Sequence, residues 1–148
     1  MIERTVEVAI GPARAFDLWV KRVDLWWPPG HRVSGEPDGA LHFEPGVGGR
    51  FFERTASGRE LDYGRVVTWQ PPTLLAYDFF LGSGPDAPTR VEVRFVAAGA
   101  GTRVEVRHTR GALAADRFDT TVPRYRASWD HVTAAFAAHA RTITETPR

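Results

Sequence analysis

The residue best placed for acid–base chemistry is His108, which lies in phase with Val104 and Val106 along a predicted strand. Residues two apart point to the same face of a strand, so we expect the imidazole to face the core or a pocket. An imidazole there could exchange protons near neutral pH. The alternative is a neutral histidine hydrogen-bonded within the wall, because no carboxylate or hydroxyl can be assigned beside it from sequence.

Three other side chains could contact a ligand. Tyr77 shares a predicted strand face with Phe79, and its hydroxyl could orient a ligand or satisfy a buried partner. Arg50 follows two glycines and could bind a carboxylate through two parallel hydrogen bonds, although an arginine at a hairpin end is more often a surface residue. Trp27, next to Trp26, could line a pocket mouth or hold a short helix against the sheet.

Other common chemistries have no support in the sequence. Cysteine is absent, which excludes disulfides, thiolate metal sites and a cysteine nucleophile. The sequence contains no nucleophile elbow, phosphate loop or dinucleotide-binding glycine pattern. The histidines show no clustered ligand spacing; they are His31, His42, His108, His131 and His139. We therefore predict no catalytic residue, metal or cofactor, and whether the chain is an enzyme stays open.

The length of the chain indicates one domain over residues 1–148, and a monomer and a homodimer both stay open. The formal net charge of +1 gives no electrostatic reason to expect nucleic acid or an anionic membrane as a partner. No apolar run is long enough to span a bilayer, and the charged N-terminus does not resemble a signal peptide, so we expect a cytoplasmic protein. The five Trp and nine Phe predict either a heavy core or a pocket with aromatic walls.

Periodicity predicts the elements that position these side chains. A period of two predicts a first strand over residues 2–10, and Pro12 is suited to begin a helix. A second short helix is predicted over residues 23–27. Further strands are predicted around residues 41–44, 50–54, 61–69, 73–80, 91–95 and 102–108. In the strand around Gly64, simple alternation places Tyr63 and Arg65 on the face opposite Gly64 and Val66. If the face of Gly64 and Val66 looks inward, Arg65 is a surface charge.

The final element is a long amphipathic helix, predicted to begin at about Pro123. Its apolar side chains recur at steps of three and four residues and are Tyr125, Trp129, Val132, Phe136, Ala140 and Ile143. We expect Trp129 to be structural, and the segment 111–122 is left unassigned. The order of strand, two short helices, several strands and a long helix predicts an α+β fold with an antiparallel sheet of six to seven strands. The first strand must then pair at an edge.

Five motifs in this order resemble the helix-grip fold of the START/SRPBCC superfamily, and in particular the branch of activator of heat-shock protein 90 ATPase homologues. They are Gly11–Trp19, Glu44–Phe51, Gly64–Leu74, Gly101–His108 and Ser128–Trp129. Val47 is an insertion in the second motif, and Ser128 replaces the glycine of the last. The resemblance implies a curved sheet gripped by the C-terminal helix, with a cavity between them.

The resemblance and the aromatic faces lead to three hypotheses. The first is binding of a small apolar or amphipathic molecule. Its candidate pocket residues are Trp27, Phe43, Phe52, Val66, Tyr77, Phe79, Val93, Phe95, His108 and Trp129. The second is a cyclase- or hydrolase-type enzyme, which would need a second polar group within about 3 Å of His108 or Tyr77. The third is a co-chaperone-like interaction domain, which rests on the resemblance alone.

Overall fold

Seven antiparallel strands and a long C-terminal helix make up the computed structural model, which describes residues 1–145. The strands are β1 (Ile2–Val8), β2 (Ala40–Phe43), β3 (Arg50–Arg54), β4 (Glu60–Gln70), β5 (Leu74–Phe79), β6 (Thr89–Ala98) and β7 (Gly101–Thr109). The helices are α1 (Pro12–Lys21), α2 (Val23–Trp26) and α3 (Ala115–Glu145), with a single 3₁₀ turn over Pro29–His31. The predicted α+β helix-grip architecture is confirmed.

The sheet order is β1-β7-β6-β5-β4-β3-β2, so β2 to β7 form a meander and β1 occupies the edge beside β7. Ile2 pairs with His108 and Val8 with Thr102. This confirms the predicted edge position of the first strand. Among residues 1–145, no helix is both long and apolar enough to cross a membrane.

A β-bulge changes the predicted facing of β4. Phe51 pairs with Gly64 and Phe52 with Asp62, which leaves Tyr63 without a partner across the strands. The extra residue reverses the side-chain alternation at this point. Tyr63 is therefore fully buried while Arg65 is exposed, and the prediction that they share a face is wrong.

Helix α3 begins earlier than its pattern predicts. The pattern predicts a start near Pro123, whereas the helix begins at Ala115 and carries Pro123 in its interior. The apolar stripe continues toward the N-terminus through the buried Phe118, which packs 5.9 Å from the His108 ring. Packing of this extra segment compensates for the hydrogen bond that a proline cannot donate.

The core between the sheet and the helices is centred on Trp19 of α1, whose side chain is fully buried. Its ring lies 4.7 Å from Trp26, 5.0 Å from Phe136 and 6.5 Å from Trp129, measured between centroids. Contacts of this kind tie both short helices to α3. The aromatic residues therefore fill most of the space that the curved sheet encloses.

Candidate functional site

A cavity of about 120 Å³ remains open where α3 passes the end of β5 and the 3₁₀ turn. Its floor consists of Trp27, Phe79, Trp129 and Val132. Phe79 is the last residue of β5, and Trp129 and Val132 lie three residues apart on the inward face of α3. The indole N–H of Trp27 donates to the backbone oxygen of His31 at 3.1 Å, which fixes one wall of the cavity.

The rim of the cavity is polar. Thr121, Arg124 and Ser128 line it from α3, and His31 lines it from the 3₁₀ turn. Oγ of Ser128 lies 3.5 Å from Nδ1 of His31, so the two sides of the rim meet there. The sequence signal for the rim is a second stripe at steps of three and four residues, beside the apolar stripe that begins at Tyr125. Chemically, this arrangement can hold an apolar ring on the floor and a polar group at the rim.

His31 also packs against His131, with ring centroids 5.4 Å apart. Burial and then the charge of His131 lower the pKa of His31, which favours its neutral form. In the described part of the chain, no cluster of three or more histidine or acidic side chains is arranged to hold a metal ion.

Tyr125 also forms part of the cavity wall and was not among the predicted pocket residues. Its hydroxyl donates to the backbone oxygen of Leu81 at 2.9 Å, and its ring packs 4.3 Å from His108. Gly82 has a φ of 81°, and a Cβ there would approach the Tyr125 hydroxyl to 2.9 Å. The loop after β5 can therefore pass Tyr125 this closely only with glycine at position 82.

His108 lies behind this wall, and both of its ring nitrogens are hydrogen-bonded. The indole N–H of Trp129 donates to Nδ1 at 2.9 Å, and Nε2 lies 2.7 Å from Oγ1 of Thr89. Because an indole N–H can only donate, Nδ1 must be unprotonated, and Nε2 carries the proton that reaches Thr89. Burial, with the N-terminal charge, lowers the pKa of His108 to about 3. These bonds correspond to the neutral wall histidine and leave no free nitrogen for acid–base work.

Tyr77 is fully buried behind Phe79, with the two ring centroids 6.0 Å apart. Neither its hydroxyl nor the indole N–H of Trp19 has a hydrogen-bond partner among residues 1–145. Burial raises the pKa of Tyr77, and the Trp19 indole opposes that rise only in part. Tyr77 therefore stays protonated and out of contact with the cavity.

Of the ten predicted pocket residues, three line the cavity, six lie in or against the core, and Phe52 lies on the other face of the sheet. Trp27, Phe79 and Trp129 line the cavity. Six others belong to the core or pack against it without lining the cavity: Phe43, Val66, Tyr77, Val93, Phe95 and His108.

Phe52 lies on the other face of the sheet. The guanidinium carbons of Arg50 and Arg54 lie 4.2 and 5.3 Å from the centre of its ring. Arg50 also forms ion pairs with Glu60 and Asp62 at 3.0 and 2.8 Å. Phe52 and Arg50 are therefore parts of a surface cluster that is separated from the cavity by the sheet.

A buried carboxylate anchors the loop that follows His31. The Tyr63 hydroxyl donates to Glu53 at 2.7 Å and accepts from the backbone N–H of Val33 at 2.7 Å. Ser34 donates to Glu53 through both its N–H and its hydroxyl. Burial raises the pKa of Glu53, but the hydrogen bonds from Ser34 and Tyr63 and the charge of Arg32 outweigh it and lower the pKa. The bulge at Tyr63 therefore positions the cavity rim through this loop.

We expect Tyr63→Phe to lower the free energy of unfolding by about 1–3 kcal/mol, because it leaves the Val33 N–H and one Glu53 oxygen short of a partner. Amide exchange at residues 33–35 should increase. Urea unfolding and hydrogen exchange measure the two effects. Tyr77→Phe is the matched control, because it removes a buried tyrosine hydroxyl that is not bonded to Glu53. Equal losses in the two variants would contradict the assigned role of the Glu53 network.

Comparisons with known proteins agree with this architecture. The family model for Activator of Hsp90 ATPase homolog 1-like proteins matches residues 10–141. No curated protein sequence matches the chain. An anthrahydroquino-gamma-pyrone synthase, Txn09, is 30% identical with a TM-score of 0.62, over 93% of this chain and 94% of that one.

Two further solved structures are similar. The self-sacrificing resistance protein CalC from Micromonospora echinospora is 26% identical with a TM-score of 0.71, over 94% of this chain and 92% of that one. An HSP90 activator from Plasmodium falciparum, PFC0360w, has a TM-score of 0.63 over 99% of this chain and 96% of that one. Its identity is 17%, so it shows the shared fold alone. The family match and the helix-grip architecture together show that this chain belongs to the Activator of Hsp90 ATPase homolog 1-like protein family.

Proposed function

We propose that the protein binds a small aromatic molecule in the cavity between β5 and α3. The observation that carries the proposal is the floor of Trp27, Phe79 and Trp129 beneath a rim of polar side chains. Ligand sites combine mostly apolar walls with a few polar groups that set orientation. That a 30% identical relative is an anthrahydroquino-gamma-pyrone synthase supports a ligand with aromatic rings.

The size of the cavity limits the ligand. Its 120 Å³ is below the roughly 300–1,000 Å³ typical of sites for drug-sized molecules. An engineered cavity of about 150 Å³ binds benzene, so one aromatic ring matches the enclosed space here and a second fused ring would extend to the open mouth.

The same relative supports an enzyme as a second candidate, since it is a synthase. In such an enzyme the reacting groups would come from the rim, where His31 and Ser128 meet, because the hydrogen bonds of His108 and the burial of Tyr77 remove both from contact with a ligand.

Ser128→Phe is expected to fill the cavity mouth and weaken binding of a neutral bicyclic probe, 2-naphthamide, at least tenfold. Titration calorimetry measures the binding, and a melting curve verifies that the variant folds. Ala127→Phe is the matched control, because residue 127 is exposed on the same helix and does not line the cavity. Absence of probe binding to the unmodified protein, or equal binding by both variants, would contradict the proposal.

A further inference from the structure

We propose that this cavity selects aromatic molecules that carry an anionic group such as a carboxylate, and that Arg124 binds that group; the inference rests on the proposed function above. In the described part of the chain, Arg124 lines the cavity and no acidic side chain does. Arg124 forms no ion pair among residues 1–145. Its guanidinium is therefore available to a ligand at the rim.

The apolar floor and this arginine are held in fixed relation by one helix. Arg124 and Trp129 are five residues apart on α3, with Ser128 between them along the cavity wall. A planar ring that rests on Trp129 and Phe79 can turn its edge toward the rim. A guanidinium can donate two parallel hydrogen bonds to a carboxylate that lies in the plane of the ring. A neutral amide of the same shape lacks the negative charge that strengthens these bonds.

The positive potential also extends along the cavity wall. Arg117 precedes Arg124 by two turns of α3. Burial raises the pKa of Tyr125, whereas the nearby hydroxyls of Thr89 and Ser83 and the charges of Arg124 and Arg117 lower it. The Tyr125 hydroxyl is thus a point on the cavity wall at which both arginine charges are felt.

The acidic groups that α3 carries between residues 115 and 143 do not line the cavity. Oδ1 of Asp130 forms an ion pair with Nε of Arg4 at 2.6 Å, and neither Asp116 nor Asp119 lines the cavity. His31, on the opposite rim, has a lowered pKa and supplies a neutral hydrogen-bonding group at pH 7.5. The charge that favours an anion therefore comes from α3.

The test compares 2-naphthoate with 2-naphthamide, two probes of nearly the same shape that differ in charge. Titration calorimetry at pH 7.5 and low salt should show the naphthoate binding roughly 5- to 10-fold more tightly to the unmodified protein. Arg124→Gln should remove that preference, because it should weaken naphthoate binding far more than naphthamide binding. Arg126→Gln, two residues along and outside the cavity, should preserve it. The preference should also shrink as salt is added, because the arginine is exposed.

The inference is overturned if the two probes bind equally, or if the preference persists in Arg124→Gln. Either result leaves the proposed function standing as long as Ser128→Phe still blocks both probes. Unchanged binding in Ser128→Phe would instead remove the proposed cavity itself. Loss of the preference in Arg126→Gln as well would assign it to the overall charge of the helix and also overturn the role of Arg124.

Discussion

Trp129→Ala is expected to abolish cooperative unfolding near neutral pH or to lower the free energy of unfolding by about 3–5 kcal/mol. The indole is 3% exposed and packs against Trp19, Phe79 and His108. Its removal would leave a large void and also take away the N–H that Nδ1 of His108 accepts. Since small domains have a total stability of about 5–15 kcal/mol, such a loss is a large fraction of it.

Trp129→Phe separates the contribution of ring packing from that of the hydrogen bond to His108, because it keeps an aromatic ring but removes the indole N–H. We expect it to cost about 1–3 kcal/mol, the typical penalty for leaving a buried acceptor unpaired. Chemical unfolding followed by circular dichroism measures both variants. An unchanged unfolding midpoint in Trp129→Ala would show that the ring is not part of the core.

The second large effect is a loss of stability in mild acid that depends on His108. The native state keeps this histidine neutral because its pKa is lowered to about 3, whereas an unfolded chain protonates it at about 6.5. Below pH 6.5 the unfolded state therefore binds a proton that the native state does not. Stability from this group is complete above pH 6.5 and falls by up to about 1.4 kcal/mol per pH unit, so roughly 2 kcal/mol is lost by pH 5.

His108→Gln should remove most of this dependence, because glutamine does not titrate. Urea unfolding at pH 7 and pH 5 gives the difference in stability for each protein. His139→Gln, in helix α3 and away from the contact between His108 and Trp129, serves as the control. A smaller slope should remain, since the pKa of His31 is also lowered. The same acid slope in His108→Gln as in the unmodified protein would rule out His108 as its source.

Much of the fold could be predicted because it follows from patterns among residues that are close in sequence. Alternation in β6 and β7 gives both the hairpin and the inward direction of His108, and Pro12 marks the start of α1. The apolar stripe from Tyr125 onward indicates which face of α3 packs against the sheet. In each case, neighbours within a few residues determine which face is buried.

The remaining features depend on contacts between distant residues. The bulge that turns Tyr63 inward depends on pairing with β3, and alternation within β4 contains no sign of it. The segment before Pro123 is helical because Phe118 packs against His108 and Tyr125.

The site was less predictable than the fold for the same reason. Thr89, which satisfies Nε2 of His108, is 19 residues away in sequence. Aromatic residues on the concave face could not be sorted into core and cavity, since that division depends on how the rings pack together. Arg124 lies in a stripe that the apolar pattern does not reveal, because a polar stripe beside an apolar one is also typical of a solvated helix surface.

The pairing of β1 with β7 bears on how the chain reaches its native state. Strands β2 to β7 pair with neighbours in sequence, but β1 must join residues about 100 positions later. Loop closure over such a distance is entropically costly, and contacts of this kind slow folding. During synthesis, the first strand would have to wait until β7 has left the ribosome before the sheet could be completed.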